Sequence, residues 1–412
     1  MLPKRVLTKI IYGMKILIVS QYYYPEKVSL TAMAEGLVKR GHDVLVVTGQ
    51  PNYGLGHIQE GYENIFDEEI NGVRVHRCKL FPRGNSGVSR LRNYISFWRN
   101  SKKYLGHLKE EFDVVYSQVM SPITAASGAN LYAKKHHVPH VHHCYDLWPE
   151  STVVTGAVRK NSCMYRLLFS WSKKIYRKMD HILISSPSFE SYFRDVLKIK
   201  DTPITYVAQP ALLAKETGKP IEFDTPYSLV YAGNVGPLQL VENLVKAMPL
   251  VKTKGVKLHV IGMGHCLEKV KDIVKEKHLE EVVEIHGPLS REITSSYFIN
   301  ATALVVSLKG EGFVGATVPN KLVSSLYYGR PVLGVIKGDG EKILKEADAA
   351  VFSDSEKEED IALAIDNLLS LSEEERKTLG NNGKEYYEKV YDFDLLLDKI
   401  VEMLCLSIKE RK

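Results

Sequence analysis

The sequence lacks several features that would mark other kinds of protein. Its five cysteines (Cys78, Cys144, Cys163, Cys266 and Cys405) are dispersed, with no Cys-x-x-Cys pair. That excludes a cysteine-based zinc cluster and a disulfide framework, and it fits reduced thiols in a cytoplasmic chain. No run of 18 or more apolar residues is present, so no transmembrane helix is expected. The basic start, MLPKRVLTKIIYG, lacks the apolar core of a signal peptide. Residues 1–13 are therefore read as an N-terminal extension with no role in the fold. No zinc-finger or RNA-recognition signature accompanies the basic residues, so no nucleic acid partner is expected. The single Asp-x-Asp, Asp392-Phe393-Asp394, stands before a helical tail, where N-capping explains it. No metal and no cofactor are expected.

What is present is an ordinary globular composition, 44% apolar and 25% charged over 412 residues, enough for two domains. The net charge of +6 hides an asymmetry. Residues 1–200 carry 29 Lys+Arg against 16 Asp+Glu, and the remainder is net acidic. A basic half suits phosphate or anionic lipid.

Short apolar runs at Lys15–Ser20, Asp43–Thr48, Val73–Cys78, Val114–Ser117, His140–His143 and His181–Ser185 read as buried strands. A helix over Leu30–Arg40, with Met33, Leu37 and Val38 inward, ends at Gly41 in a left-handed cap. The pattern restarts at Ser228–Ala232, with a helix over Gln239–Met248. It continues through Leu258–Ile261, Val283–His286, Ala303–Ser307, Pro331–Val335 and Ala350–Ser353. The fold class is α/β: two facing Rossmann-like, doubly wound parallel-sheet domains with a cleft between them. The boundaries are 14–207, a linker at 208–226, 227–385, and a C-terminal helix at 386–412 that crosses back to the first domain.

The strings SQYYYPE (Ser20–Glu26), RGHDVLVVTGQPNYGLG (Arg40–Gly56), YDLWPES (Tyr145–Ser151), YAGNVGPLQ (Tyr231–Gln239), VIGMG (Val260–Gly264) and VPNKLVSSLYYGRPVLG (Val318–Gly334) occur in that order. The ordered series resembles the GT-B glycosyltransferases of family 4, closest to the WbuB-type branch of O-antigen and capsule assembly. The resemblance spans about residues 14–400. It implies an acceptor-binding first domain, a second domain for a nucleotide-sugar donor, and a retaining, metal-independent transfer.

The resemblance also directs attention to particular residues. Relatives commonly place an Arg and a Lys five residues apart after the first strand of the donor domain. Here those positions are Asn234 and Gln239, which donate hydrogen bonds but carry no charge. Lys321, Lys309, and backbone N–H groups at Gly236 and at the helix beginning near Pro319-Asn320 are the candidates to compensate. A plain strand-to-helix turn is the other reading of Gly233 and Gly236. The two glutamates of most relatives are replaced by Ala316 and Ser324. Gly262 and Gly264 suit a close backbone approach to donor phosphate or sugar. His286 and Gly287 belong to the loop that reads the nucleobase, although His286 is equally a structural strand-end histidine.

On the acceptor side, Asp146 or Glu150 orients or deprotonates the acceptor hydroxyl, or Asp146 caps a turn. His143 is favoured slightly over His142 as base or orienter. Pro25, Glu26, Tyr53 and Arg83 complete the acceptor candidates. Two stretches, Arg83–Lys109 and Arg159–Lys178, interleave basic and aromatic residues at helical spacing. They suit an interfacial helix at the inner face of a bacterial plasma membrane, or a solvated face over an apolar stripe.

The expected partners are a UDP-sugar, a polyprenyl-pyrophosphate-linked acceptor and an anionic membrane surface. The expected activity is transfer of an N-acetylhexosamine or amino-deoxy sugar. A UDP-sugar 2-epimerase-like isomerase and a non-catalytic scaffold of a polysaccharide assembly complex are the alternatives. Release of UDP in the presence of an acceptor separates the three.

Overall fold

The apolar runs become parallel strands, because a run with no polar alternation needs cover on both faces. The computed structural model describes residues 13–411 apart from 85, 120, 155, 215–217 and 314. It divides into one unit of Met1–Gln209 with Phe393–Lys412, and a second of Pro210–Asp392. Apart from Gly13, the N-terminal extension lies outside the described residues.

In the first unit, β1 (Lys15–Val19), β2 (Asp43–Gly49), β4 (Val73–Cys78), β5 (Val114–Val119), β6 (His140–Cys144), β7 (His181–Ile184) and β8 (Ile204–Tyr206) run parallel. The edge strand β3 (Asp67–Ile70) is antiparallel to β4. Their order is β3-β4-β2-β1-β5-β6-β7-β8. The winding reverses between β1 and β5, where Ile16 pairs with Val44 on one side and Val114 on the other. Loops leaving the carboxyl ends of strands at such a reversal form a ready crevice.

Helix α1 (Ser29–Lys39) turns Met33 and Leu37 into the core, and Gly41 follows it at φ +86°. Helices α2 (Gly87–His107) and α5 (Cys163–Tyr176) are capped by Ser86 and Ser162, whose hydroxyls accept the N–H groups of Ser89 and Tyr165. Between them lie α3 (Ser127–His136) and the short α4 (Glu150–Val154).

The second unit carries β9 (Tyr227–Ala232), β10 (Val256–Ile261), β11 (Val283–Gly287), β12 (Ala303–Ser307), β13 (Val332–Val335) and β14 (Ala350–Phe352), ordered β11-β10-β9-β12-β13-β14 and parallel throughout. Its reversal falls between β9 and β12. Helices α6 (Val241–Ala247), α7 (Leu267–Glu276), α8 (Arg291–Asn300), α9 (Asn320–Tyr327), α10 (Asp339–Glu346), α11 (Glu358–Ser370) and α12 (Glu373–Val390) surround it. Leu229, Tyr231, Val245, Leu258, Val305 and Leu368 are among the buried residues of one core. A reciprocal capping box, Ser372 with Glu375, starts α12.

The expected linker at 208–226 is not a free span where it is described. Gly218 donates its N–H to Ser295 Oγ at 2.9 Å, Ile221 to the Ser296 carbonyl at 3.2 Å, and Phe223 packs near His259 and Tyr297. Pro and Lys in a stretch signal the absence of regular structure, but not the absence of packing.

The chain returns to the first unit in α13 (Phe393–Arg411). Asp394 and Asp398 take Arg40, just past the end of α1, at 2.8 and 3.0 Å, so the Asp-x-Asp string contributes a docking contact. Leu397 lies so close to Gly36 that a Cβ there would meet it at 2.5 Å.

One buried cation organises the loops beside the reversal. Arg77 of β4 is fully buried and pairs with Glu68 of β3. It also donates to the Tyr24 carbonyl at 2.6 Å, so it fixes the loop after β1. Replacing Arg77 with Met strands Glu68 and that carbonyl. The expected loss is about 3 kcal/mol of stability by urea unfolding; a loss under about 1 kcal/mol contradicts this role.

Candidate active site

At the carboxyl edge of the first sheet, buried amides lock three loops together. Gln21, after β1, donates to Asn93 Oδ1 of α2 at 2.7 Å. Asn93 donates to Asn52 Oδ1 at 3.1 Å and to the Phe81 carbonyl at 2.6 Å. Asn52 Oδ1 also accepts the Arg83 N–H at 2.9 Å. The loops after β1, β2 and β4 are thereby pinned to one helix. Sequence reasoning missed Gln21, Asn52 and Asn93. The available signal was Asn93 itself, a polar residue four positions before Phe97 on the buried stripe of α2.

Glu26 belongs to the same framework. Its carboxylate accepts backbone N–H groups from Asn52 at 2.9 Å, Tyr53 at 2.8 Å and Tyr23 at 3.3 Å. Burial raises its pKa, and these N–H groups oppose the shift. Its oxygens are spent on the loops, so as an acceptor contact it acts through Tyr53. Pro25 shapes the turn in which the Glu26 N–H reaches the Tyr23 carbonyl at 3.0 Å.

This framework presents Arg83. Its guanidinium donates to Tyr22 Oη at 2.7 Å and lies over the rings of Tyr53 and Tyr94 at 4.9 and 5.5 Å. No carboxylate pairs with it among the described residues. Asp146 follows β6, part-buried, and its carboxyl has no hydrogen-bond partner among the described residues. Burial pushes its pKa up to about 6. Burial also raises the Tyr94 phenol, with Arg83 opposing and Asp146 adding to it, so the three groups share one electrostatic neighbourhood.

Two catalytic candidates fall elsewhere. His143 is fully buried, with one ring nitrogen bonded to Tyr116 Oη at 2.8 Å and the other to the Val207 carbonyl at 2.8 Å. Burial lowers its pKa to about 4. The strand alternates faces, and the ring points into the core. His142 is buried too, bonded to Ser117 Oγ at 2.8 Å. Glu150 opens α4 and accepts the Tyr165 hydroxyl at 2.6 Å in the interior. Asp146 is therefore the one candidate of the Tyr145–Glu150 string whose carboxyl remains uncommitted.

In the second unit the loops after β9 and β10 close on each other along a backbone seam. Gly233 donates to the Ile261 carbonyl and Val235 to the Met263 carbonyl, both at 2.9 Å. A Cβ on Gly262 would stand 1.8 Å from the Gly233 oxygen, and one on Gly264 2.2 Å from the Val235 oxygen. These glycines are needed for loop against loop.

Lys321 of α9 reaches up to this seam. Its amine donates to Tyr231 Oη at 2.7 Å and lies 4.1 Å from the centre of that ring. Tyr231 in turn donates to the Asn234 carbonyl at 2.5 Å. Gly233 lies alongside; a Cβ there would stand 3.5 Å from Lys321 Cε. The amine has no carboxylate partner among the described residues, and burial lowers its pKa to about 7. A lone amine with a depressed pKa at strand ends is a group that gains from an arriving anion.

Other donor candidates are partly committed. Asn234 donates to Gln239 Oε1 at 3.1 Å beside Gly236. Asn320 spends its amide on the Leu212 N–H at 3.2 Å and the Pro210 carbonyl at 3.0 Å, and Ser324 donates to Asn320 Oδ1 at 3.4 Å. Pro319 precedes α9 without a side-chain cap, and the Leu322 N–H donates to the Pro319 carbonyl at 2.9 Å. Lys309 follows β12 with its backbone N–H on the Leu238 carbonyl at 2.8 Å.

His286 is bonded to His259 at 3.1 Å and to Tyr297 Oη at 3.3 Å, just before Gly287 at φ +68°. His259, Glu284 and His286 hold their ligand-type atoms within 4.8 Å of one another. The two rings are near-parallel at 14°, with His259 Nδ1 and His286 Nε2 3.1 Å apart.

Comparisons with known proteins bear on the family and the fold. Residues 27–209 match the Glycosyl transferase 4-like domain, and residues 215–386 match Glycosyl transferases group 1. The probable glycosyltransferase WbjE of Pseudomonas aeruginosa is 26% identical over 65% of this chain and 68% of its own. The putative colanic acid biosynthesis glycosyl transferase WcaI of Escherichia coli is 22% identical over 77% and 82%. Among solved structures, HepE of Anabaena in complex with UDP and glucose superposes with a TM-score of 0.67 at 12% identity, over 95% of this chain and 99% of that one.

Two measurements test the geometry. Gly262→Ala forces a side chain into the seam and is expected to cost roughly 3 kcal/mol or more; near-wild-type urea stability contradicts the seam. Asp146 titrates near its ordinary ~3.9 when unfolded and at about 6 when folded. The folded state holds its proton more tightly, so the stabilisation is complete below pH ~4 and is lost as the pH rises through about 6. Asp146→Asn is thus expected to gain on the order of 1–2 kcal/mol over wild type at pH 8 and nothing at pH 4. An equal difference at both pH values contradicts the assignment.

Proposed function

We propose, for a chain that belongs to the family 4 glycosyltransferases of GT-B fold, transfer of a sugar from a UDP donor to a polyprenyl-pyrophosphate-linked saccharide in bacterial surface polysaccharide synthesis. An N-acetylhexosamine or amino-deoxy sugar is the first candidate for the group moved. The relative WcaI, named for colanic acid biosynthesis, supports the pathway class, and WbjE supports glycosyl transfer. The UDP seen with HepE, on the same fold, supports the donor class. The Pro319-Asn320-Lys321 string supports a WbuB-type branch.

The observation that carries the reading is the uncompensated amine of Lys321 beside the β9 loop. When the C1–O bond to the donor's β-phosphate breaks, its electron pair stays on the phosphate. Cationic and N–H groups then stabilise that charge. Lys321, protonated by the approach of the pyrophosphate, and backbone N–H groups at the start of α9 supply this without the Arg and Lys of most relatives. The acceptor hydroxyl bonds to C1 on the face that UDP leaves, with retention, and its proton passes to the departing phosphate oxygen or to Asp146. Arg83, a cation with no carboxylate partner among the described residues, suits the acceptor's pyrophosphate. No metal enters this scheme.

No helix among the described residues is long and apolar enough to cross a membrane. Peripheral attachment at the inner face of the plasma membrane is the reading that fits a lipid-linked acceptor.

The experiment is a screen of UDP-sugars with a lipid-pyrophosphoryl acceptor in EDTA, reading UDP release. Failure with every UDP-sugar, or rescue only by a divalent cation, overturns the scheme. Lys321→Gln is expected to lower kcat/KM for the donor by roughly 100-fold with the fold intact; a change within twofold removes Lys321 from the donor site.

A further inference from the structure

The two basic aromatic stretches of the first unit meet in one place. Trp98 of α2 and Trp171 of α5 touch edge to face, with ring centres 5.2 Å apart. They wall a cavity of about 610 Å³, closed on another side by Ser127 and Lys134 of α3. Lys102, Lys134, Lys174 and Lys178 line it, and none of these has an ion pair among the described residues. The one carboxylate of the lining, Asp180, is already paired with Arg411. Trp98 Nε1 and Ser127 Oγ are buried polar atoms without a hydrogen-bond partner. Four cations and two unused donors around an apolar floor lack an anion.

The same helices order their side chains along their length. On α2, Leu91 and Ile95 precede Trp98 and Lys102 at spacings of four, three and four, which is one helical face. On α5, Met164 and Leu167 precede Trp171 and Lys174 at three, four and three. Leu91, Ile95, Met164 and Leu167 are all exposed. Both helices thus run from exposed apolar residues, through tryptophan, to lysine. That sequence is the depth profile of a bilayer leaflet: acyl chains, interface, phosphate.

We propose that this pocket seats the phosphate of an anionic glycerophospholipid, with Leu91, Ile95, Met164 and Leu167 entering the acyl boundary below it. The proposal rests on the membrane reading for its occupant, and it adds a defined headgroup site built from α2, α3 and α5, on residues separate from Arg83, Asp146 and Lys321. Amphiphile and pocket match in both parts: charge to the lysines, hydrocarbon to the exposed stripe.

The test uses the full chain and its own fluorescence. Of three tryptophans, two line the pocket and Trp148 is buried as a constant background. Titration with dihexanoylphosphatidylglycerol below its micelle concentration is expected to change the emission saturably. Lys134→Gln with Lys174→Gln is expected to weaken this at least tenfold while Tm and transfer to a short-chain acceptor stay unchanged. Both lysines are exposed, so the fold should hold; Ser127→Ala, which removes one unused donor, is the second variant and is expected to weaken binding several-fold. Wild-type affinity in both variants, or equal affinity for dihexanoylphosphatidylcholine, overturns the pocket. Inorganic phosphate binding as tightly as the lipid overturns the lipid as occupant and leaves a free-anion site. Sedimentation with phosphatidylglycerol vesicles separates the two claims. No sedimentation of the wild type sinks the membrane reading, whereas sedimentation undiminished in the double variant sinks the pocket alone.

Discussion

A charged group that leaves water without a partner sets a condition the rest of a fold has to meet. Lys321 is such a group: its amine rests on the face and hydroxyl of Tyr231, and no carboxylate answers it among the described residues. A carboxylate nearby would steady the amine, but it would also occupy the place of any incoming anion and repel it. Holding the amine against a phenol instead keeps its capacity in reserve at the cost of a lowered proton affinity. The first unit uses the same device with a different cation. Arg83 is held by one hydroxyl and two aromatic faces. Arg77, by contrast, has its carboxylate and is structural. Arg77 is thus answered by a carboxylate, while Lys321 and Arg83 are held by hydroxyls and aromatic faces.

Open cations require a frame that does not collapse onto them, and the two units build it differently. In the second unit the β9 and β10 loops run as a continued ladder past the ends of their strands, with the glycines admitting carbonyls where any side chain would collide. In the first, amide side chains tie the loops together, since Asn52 and Asn93 bond mostly to backbone or to one another. Groups fixed by such networks are pre-oriented, which is where electrostatic stabilisation of a departing phosphate draws its strength.

Most strands and the doubly wound class were legible because apolar runs between turns leave few alternatives. Val73–Cys78 and Ala303–Ser307 match the expected bounds to the residue. The edge strands β3 and β8 were not expected. Asp67–Ile70 reads Asp-Glu-Glu-Ile and is held by antiparallel pairing and by Arg77, which no local pattern reveals; β8 is three residues long. At the candidate site, types were legible and roles were not. His142 and His143 follow one another in the same string, and only the sheet shows both to be packed inside. Asp146 and Glu150 are four residues apart, yet one is uncommitted and the other accepts a buried tyrosine. Asn320 had the right neighbourhood, but its amide holds the chain at Pro210. Such assignments depend on contacts between residues far apart in sequence.

Helix α13 carries a last implication. Its contact with Arg40 joins positions 354 residues apart, across the whole of the second unit. During synthesis the first sheet therefore emerges from the ribosome with Gly36 and Met14 lacking the cover of Leu397 and Cys405. The second unit can close on its own strands before that cover arrives. The final maturation of the first unit is then a late event, timed by translation of its last helix.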